Sequence, residues 1–293
     1  MVRITAKSDN FRAVGWMMGA IIAFTSMAIV GRVVSLELDT FEIMLYRSIT
    51  GVIVVVLFAT SLGTLGQINR QQLGLHGMRN LSHFAGQNLW FFALPLIPLT
   101  QLFALEFTSP IWVILLAPLL LGEKITRIDA LAAVGGIIGV IIVTRPFEAA
   151  ITTGTIAAAC AAVGFALSAI FTRQLTRTQT ITCILFWLTV MQSVFGLIGA
   201  GYDGDIAWPS VGALPWIILI GFAGLIAHFC LTTALSIAPA SIVMPIDFIR
   251  LPVIAAVAAG LYAESLDPWV FVGAAIIFGA NYLNVTYGQR VEV

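Results

Sequence analysis

Residues Ile97–Thr126 read IPLTQLFALEFTSPIWVILLAPLLLGEKIT, and Ala238–Asp267, 141 residues further on, read APASIVMPIDFIRLPVIAAVAAGLYAESLD. Each is a long apolar run with one carboxylate inside it and another at its end. Pro98 falls on Pro239, Thr100 on Ser241, Glu106 on Asp247 and Glu123 on Glu264. An ionisable side chain inside an apolar run is costly, and here the same cost recurs at one offset. The offset extends outward without a gap. Phe24, Ala28, Ile29 and Arg32 fall on Phe165, Ala169, Ile170 and Arg173; Tyr46 falls on Trp187, and Ala93-Leu94 on Ala234-Leu235. The chain therefore divides into two similar halves, residues 1–146 and 147–293.

Composition says what surrounds these halves. The 293 residues are 60% hydrophobic and 10% charged, with a mean hydropathy of +1.02. Soluble domains carry about 25% charged residues, so the chain reads as an integral membrane protein. Lys+Arg and Asp+Glu balance at 14 each, which argues against nucleic acid as a partner. Cys160, Cys183 and Cys230 lie in apolar runs and read as small core residues, not as a metal site or a disulfide framework. Arg3, Lys7 and Arg12 precede an apolar run with no small-residue cleavage site after it, the pattern of an uncleaved signal-anchor.

Hydropathy over spans of about 20 residues predicts ten transmembrane helices. They cover Ala13–Val34, Phe41–Leu62, Leu75–Leu96, Leu99–Leu121, Ile128–Thr144, Thr153–Thr172, Ile181–Ala200, Ala213–Leu235, Ser241–Tyr262 and Pro268–Tyr287. With the N-terminus cytoplasmic, the inner segments hold ten basic residues, among them Arg12, Arg70, Arg79, Lys124, Arg127, Arg173 and Arg177, and the outer segments only Arg32 and Arg145. That bias places both termini in the cytoplasm. Five spans per half is an odd number, so the second half enters the membrane inverted. The expected fold is all-α integral membrane, ten helices as two inverted five-helix repeats around a central cavity, the signature of secondary transporters.

Four charges lie inside spans: Arg47, Glu106, Asp247 and Arg250. Arg47 and Glu106 lie about 10 Å below the same surface at 1.5 Å per residue, which predicts a pair. Asp247 and Arg250 are three residues apart and share a face. Neutral ion pairs that lock helices together explain these charges; so does gating, or an arginine that meets a substrate carboxylate. His83, Gln87 and Trp90 form a stripe on the third span, answered by Gly224, His228 and Thr232 on the eighth. Opposed polar groups suit a cavity for a small polar solute. Phe24, Phe165, Ser168 and Gln101 are further candidates for its lining, with interhelical packing as the plainer alternative for each. Gly135, Gly136 and Gly139 on the fifth span read as helix packing, since no strand precedes them as a nucleotide loop would need. Pro110, Pro118, Pro245 and Pro252 should bend the fourth and ninth spans. No protease, esterase or nucleotide-binding motif is present, so neither an enzyme nor a cofactor is expected.

The two-repeat layout resembles the drug/metabolite transporter superfamily, specifically its EamA-type exporters. The resemblance is carried by Tyr46-Arg47, Ala93-Leu94, Pro110, the LLLGEKIT ending at Thr126, Ala234-Leu235, Pro239-Ala240 and Glu264. Ala263 stands where the family has glycine. The resemblance implies a bacterial inner-membrane protein, and within the family it points to exporters of aromatic amino acids. The expected function is alternating-access export of amino acids with apolar or aromatic side chains by a monomer, with drug or cation efflux as the alternative.

Overall fold

A computed structural model of the chain describes residues 2–121, 125–145, 151–237 and 246–287, with backbone only at 2–10, 117, 121, 232, 235, 236 and 285. The turn at Gly122–Lys124, Glu123, Pro239, Ser241, Pro245 and Arg290 lie outside these residues, as do the side chains of Arg3, Lys7 and Thr232. Among the described residues the regular structure is helical: α1 (Val2–Val34), α2 (Thr40–Ser61), α3 (Leu73–Ala93), α4 (Leu99–Glu106), α5 (Ser109–Leu121), α6 (Arg127–Thr144), α7 (Thr153–Leu175), α8 (Ile181–Ala200), α9 (Leu214–Ile237), α10 (Arg250–Tyr262) and α11 (Pro268–Tyr287), with one short 3-10 turn, Leu65–Gln67.

Local chemistry sets the boundaries. Asp39 and Glu42 exchange side chain–backbone bonds of 2.8 and 3.0 Å, a capping box that starts α2. At the position 141 residues on, Thr180 caps α8 through the amide of Cys183. α2 and α8 are followed by Gly63 (φ 67°) and Gly204 (φ 83°), again 141 apart, in the left-handed conformation that glycine adopts without strain. Thr126 and Asp129 form a second capping box for α6.

Among the described residues, seven stretches are long and apolar enough to cross a membrane, and α10 and residues 268–284 of α11 are shorter apolar helices. α3 is not among the seven because its buried face carries His76, Arg79, Asn80, His83, Gln87 and Asn88. The predicted fourth span is interrupted at Phe107–Thr108, between α4 and α5. The predicted ninth is interrupted at Phe248–Ile249, immediately before α10 and at the same offset. Proline explains the interruptions. Pro110 has no N–H for the carbonyl of Glu106, which instead accepts from Ser109 Oγ at 2.8 Å. Pro252 likewise cannot serve the carbonyl of Phe248. Pro118, by contrast, stays inside α5.

The largest helix–helix interfaces are α1 with α9, α3 with α7, α6 with α11 and α2 with α8. Small residues bring the axes together. A Cβ on Gly139 would lie 2.8 Å from the carbonyl of Gly273, and one on Gly273 would lie 2.7 Å from that of Gly139. Gly164 packs the same way on the backbone of Gly86, tying α7 to α3. α4 is the most enclosed element, with Leu99, Leu102, Phe103, Ala104 and Leu105 all 0% exposed. Ile53, Leu57 and Phe58 on α2, and Leu197 and Ile198 on α8, face outward as a lipid-contacting belt does. Gly273→Val should wedge α6 from α11. Overpacking of this kind costs about 1–3 kcal/mol, so the variant should melt earlier in detergent by tryptophan fluorescence, whereas Gly74→Ala, in open space, should not.

Candidate functional site

The buried charges meet where the two interrupted spans face each other. Arg250 Nη2 lies 3.0 Å from Glu106 Oε1 and 2.9 Å from Asp247 Oδ2. The other oxygen of Glu106 accepts from Trp90 Nε1 at 2.8 Å. The Arg250 guanidinium also stacks over three rings, Phe24 at 4.8 Å, Phe107 at 5.0 Å and Phe103 at 5.1 Å. It is 4% exposed, so one cation serves two acids and an aromatic box away from water. The expected pair of Asp247 and Arg250 is present; the expected pair of Arg47 and Glu106 is not. Arg47 Nη1 instead bonds Gln87 Oε1, with Met44 Sδ at 3.4 Å. Equal depth along two helices says nothing of the direction in which each side chain points. α2 packs on α8 and α9 and only slightly on α3, which turns Arg47 away from α4.

A second group of polar side chains lies beside this cluster. A crevice is lined by Arg47, Thr189, Gln192, Gly224 and His228, among others. Its volume of about 20 Å³ has room for a water and not for a metabolite. Gln192 Nε2 lies 2.6 Å from His83 Nδ1. An amide nitrogen only donates, so His83 accepts there and carries its proton on Nε2. The rings of His83 and His228 lie 5.5 Å apart. Phe165 meets His83 at 6.1 Å, and Phe24 meets His228 edge-on at 5.7 Å. Phe24 thus touches both groups, through His228 on one side and Arg250 on the other. Trp90 belongs to the charge cluster, Ser168 is buried on α7, and Gln101 is half-buried on α4 without a hydrogen bond to a described atom.

The end of the molecule that carries the α1–α2 loop is tied shut. Arg32 is paired with Glu264 and donates to the carbonyls of Leu94 (2.9 Å) and Ile97 (2.6 Å). Glu264 also accepts from Leu99 N at 2.9 Å, holding the start of α4. Tyr262 donates to the carbonyl of Ile29 at 3.0 Å, and Arg145 pairs with Asp267. Ala263 holds φ 52°, the left-handed conformation that glycine prefers, and this turn aims Glu264 at Arg32.

Gln192 and Thr189 line the crevice and Arg79 and Asn80 are buried polar residues of α3, and none of the four is among the candidates read from the sequence. Arg79, which counts toward the inner basic residues although the predicted third span Leu75–Leu96 contains it, is buried on α3, bonded to Thr172 Oγ1 at 3.1 Å and Asn80 Oδ1 at 2.8 Å. The signal was the stripe of His83, Gln87 and Trp90 continued backward at helical spacing, which reaches Asn80, Arg79 and His76. Gln192 was signalled only as an amide inside an otherwise apolar span.

Interrupted helices around a buried charge cluster, with a polar crevice alongside, are the parts of a solute path through a membrane. The sequence pattern of the EamA-like transporter family matches the chain twice, over residues 11–145 and 152–286. The chain belongs to the EamA-like transporter family and is a multi-pass membrane transporter of a small molecule, not an enzyme. It is 32% identical to a riboflavin transporter of Brucella anthropi over 73% of this chain and 77% of that one. It is 28% identical to a riboflavin transporter of Vibrio cholerae over 89% of each, and 22% identical to an S-adenosylmethionine uptake transporter of Rickettsia bellii over 94% of each. A solved crystal structure with 16% identity superposes with a TM-score of 0.66, over 96% of this chain and 99% of the other, and supports the fold. These relatives are named for riboflavin and S-adenosylmethionine, not for aromatic amino acids.

The geometry separates two couplings. Arg250→Gln should leave two buried acids uncompensated and cost about 3–5 kcal/mol. In a double-mutant cycle read by thermal melting, Glu106→Gln should offset part of that loss. Glu106→Gln combined with Arg47→Gln should instead be additive, since those side chains do not touch.

Proposed function

We propose that the chain is a secondary transporter built from two inverted five-helix repeats, residues 1–146 and 147–293, that exchanges a solute across a bacterial inner membrane by alternating access. The observation that carries this reading is the pair of interruptions, at Phe107–Thr108 and Phe248–Ile249, joined by Arg250 between Glu106 and Asp247. The two family matches support it, because their starts (11 and 152) and their ends (145 and 286) are displaced by the same 141 residues. The helix pairing supports it too. Exchanging the halves turns the α1–α9 interface into α7–α3 and returns α2–α8 and α6–α11 to themselves. On this reading α3 is the third span, α4 and α5 together are the fourth, and α10 completes the ninth. Ten spans, both termini in the cytoplasm and a monomer follow.

The solute we infer is a small metabolite with a flat aromatic ring. Riboflavin and S-adenosylmethionine, the solutes in the relatives' names, both carry a flat nitrogen heterocycle. Phe24, Phe165, His83 and His228 supply a set of ring faces and edges around the crevice. This replaces amino-acid export as the leading reading, and the uptake in the name of the S-adenosylmethionine relatives makes import the proposed direction. An aromatic amino acid is the second reading, favoured by a guanidinium at Arg47 that no described acid occupies. Cation efflux is disfavoured because Glu106 and Asp247 are both engaged by Arg250.

Counterflow in proteoliposomes with labelled riboflavin, S-adenosylmethionine, tryptophan and the cationic dye ethidium tests this directly. At least one of the first three should exchange; exchange of the dye alone would overturn the reading. Phe24→Ala and His228→Ala should slow that exchange about threefold to tenfold at unchanged expression. Replacing Arg32 and Glu264 by cysteines, in a background without the native three, and bridging them with a short bifunctional methanethiosulfonate that spans the length of the original side-chain pair should stop exchange until the bridge is reduced. Undiminished exchange in the cross-linked protein would rule out opening at that end.

A further inference from the structure

We propose that the crevice recognises an anionic group on the transported solute, a carboxylate or a phosphate, with Arg47 as its direct ligand. The proposal rests on the transport reading above and names the chemistry that the same site selects.

The argument begins with which arginines have acids. Arg32 has Glu264, Arg145 has Asp267, and Arg250 has both Glu106 and Asp247. Arg47 has none: its contacts among the described residues are Gln87 Oε1 and Met44 Sδ, both through Nη1. Nε and Nη2, which make the fork that grips a carboxylate or phosphate, bond no described atom. Arg79, 5% exposed, is also without a described carboxylate and is held by Thr172 and Asn80. Two guanidiniums on neighbouring helices of the membrane interior thus lack a counter-charge from the described protein. The two interior acids are committed to Arg250 and do not reach them. Histidine cannot supply negative charge, so His83 and His228, which pack ring against ring in the same region, leave the balance unchanged.

The wall opposite Arg47 is bare. A Cβ on Gly224 would lie 2.7 Å from Arg47 Nη2, so the absence of a side chain there is what gives the guanidinium its space. Gly221 allows α9 to close on α2 beside it, with a Cβ position 3.0 Å from the carbonyl of Arg47. Gln192, which uses one amide N–H on His83, has a second on the third side of the crevice, whereas the Thr189 hydroxyl beside it donates to the carbonyls of Leu185 and Phe186. A mobile anion that arrives with the solute satisfies the fork, balances the charge and leaves with the solute. A fixed carboxylate in its place would abolish that selectivity. The crevice must widen to admit it, as alternating access requires.

The test uses two pairs of solutes that differ in one group: tryptophan against tryptamine for the carboxylate, and flavin mononucleotide against riboflavin for the phosphate. In proteoliposome counterflow at equal concentration, the anionic member of at least one pair should exchange about tenfold faster or more than its partner. Which pair responds distinguishes carboxylate from phosphate. Arg47→Gln should erase the preference and Arg47→Lys should keep part of it. If Arg47→Gln does not fold, as judged by size-exclusion chromatography, Gly224→Ala should lower the preference by crowding Nη2. Faster exchange of riboflavin and tryptamine, or a preference unchanged in these variants, would overturn the anion site while leaving the transporter standing. If no probe exchanges, the transport reading fails for this solute class. The anion site is then decided by thermal melting of the detergent-solubilised protein with inorganic phosphate or acetate. Stabilisation that Arg47→Gln removes supports the site, and no stabilisation overturns it.

Discussion

The contact of Arg250 with Glu106 and Asp247 is the constraint on which the rest of the interior depends. Two helices are interrupted at mid-chain positions, and interruption frees carbonyls and brings acids into an apolar interior. Serine, threonine and tryptophan side chains satisfy part of this demand, as Ser109, Thr108 and Trp90 do around Glu106. The charge itself needs a cation, and Arg250 supplies one to both acids. A buried ion pair of this kind adds little to stability over a well-packed apolar alternative. What it supplies is a fixed junction: three rings and two carboxylates define one place for the guanidinium.

Two kinds of feature can be told apart in the molecule. Those that recur 141 residues apart are mechanical: the caps at Asp39 and Thr180, the glycines at 63 and 204, the interruptions at 107 and 248. Those that do not recur are chemical. Arg47 falls on Leu188, Arg79 on Ile220 and Gln192 on Gly51. A machine with two similar halves can move symmetrically, but a solute is not symmetric; the proposed ring pair Phe24 and Phe165 recurs, whereas Arg47 and Gln192, the groups proposed to meet the solute's anion, do not. The substrate site is therefore to be sought where the repeat is broken.

This distinction also explains what was legible in the sequence. The family and its twofold match, the membrane setting and the placement of Glu106, Asp247 and Arg250 inside spans follow from residue type and offset. Composition alone excludes a soluble domain, and an acid repeated in an apolar run marks itself. The partner of Arg47 was not legible, because depth along a helix fixes one coordinate and the neighbour depends on helix rotation. The burial of Arg79 is not legible either, because a basic residue near a helix end reads as a topology signal. Gln192 went unnoticed because its mate at the 141-residue offset is Gly51, so matching the halves gave it no weight. The interruption of the fourth span at Phe107–Thr108 is encoded by Pro110, but whether proline bends or breaks a helix depends on who takes the freed carbonyl. Here Ser109 takes it.

The same interruption makes α4 a short rigid link between two ionic sites. Its first amide, at Leu99, is held by Glu264, which is itself paired with Arg32. Its last residue, Glu106, is held by Arg250. Eight helical residues span about 12 Å, and five of them, Leu99, Leu102, Phe103, Ala104 and Leu105, have no exposed surface. A packed helix of this length does not bend to absorb a displacement at one end. On the proposed cycle, parting Arg32 from Glu264 releases the start of α4, and the movement must appear at Glu106. There Phe24 lies against Arg250 and, on its other side, against His228 in the crevice wall. Opening at the end of the molecule and widening of the crevice are then one motion of one element. On that cycle the break at Phe107–Thr108 lets α4 move without dragging α5.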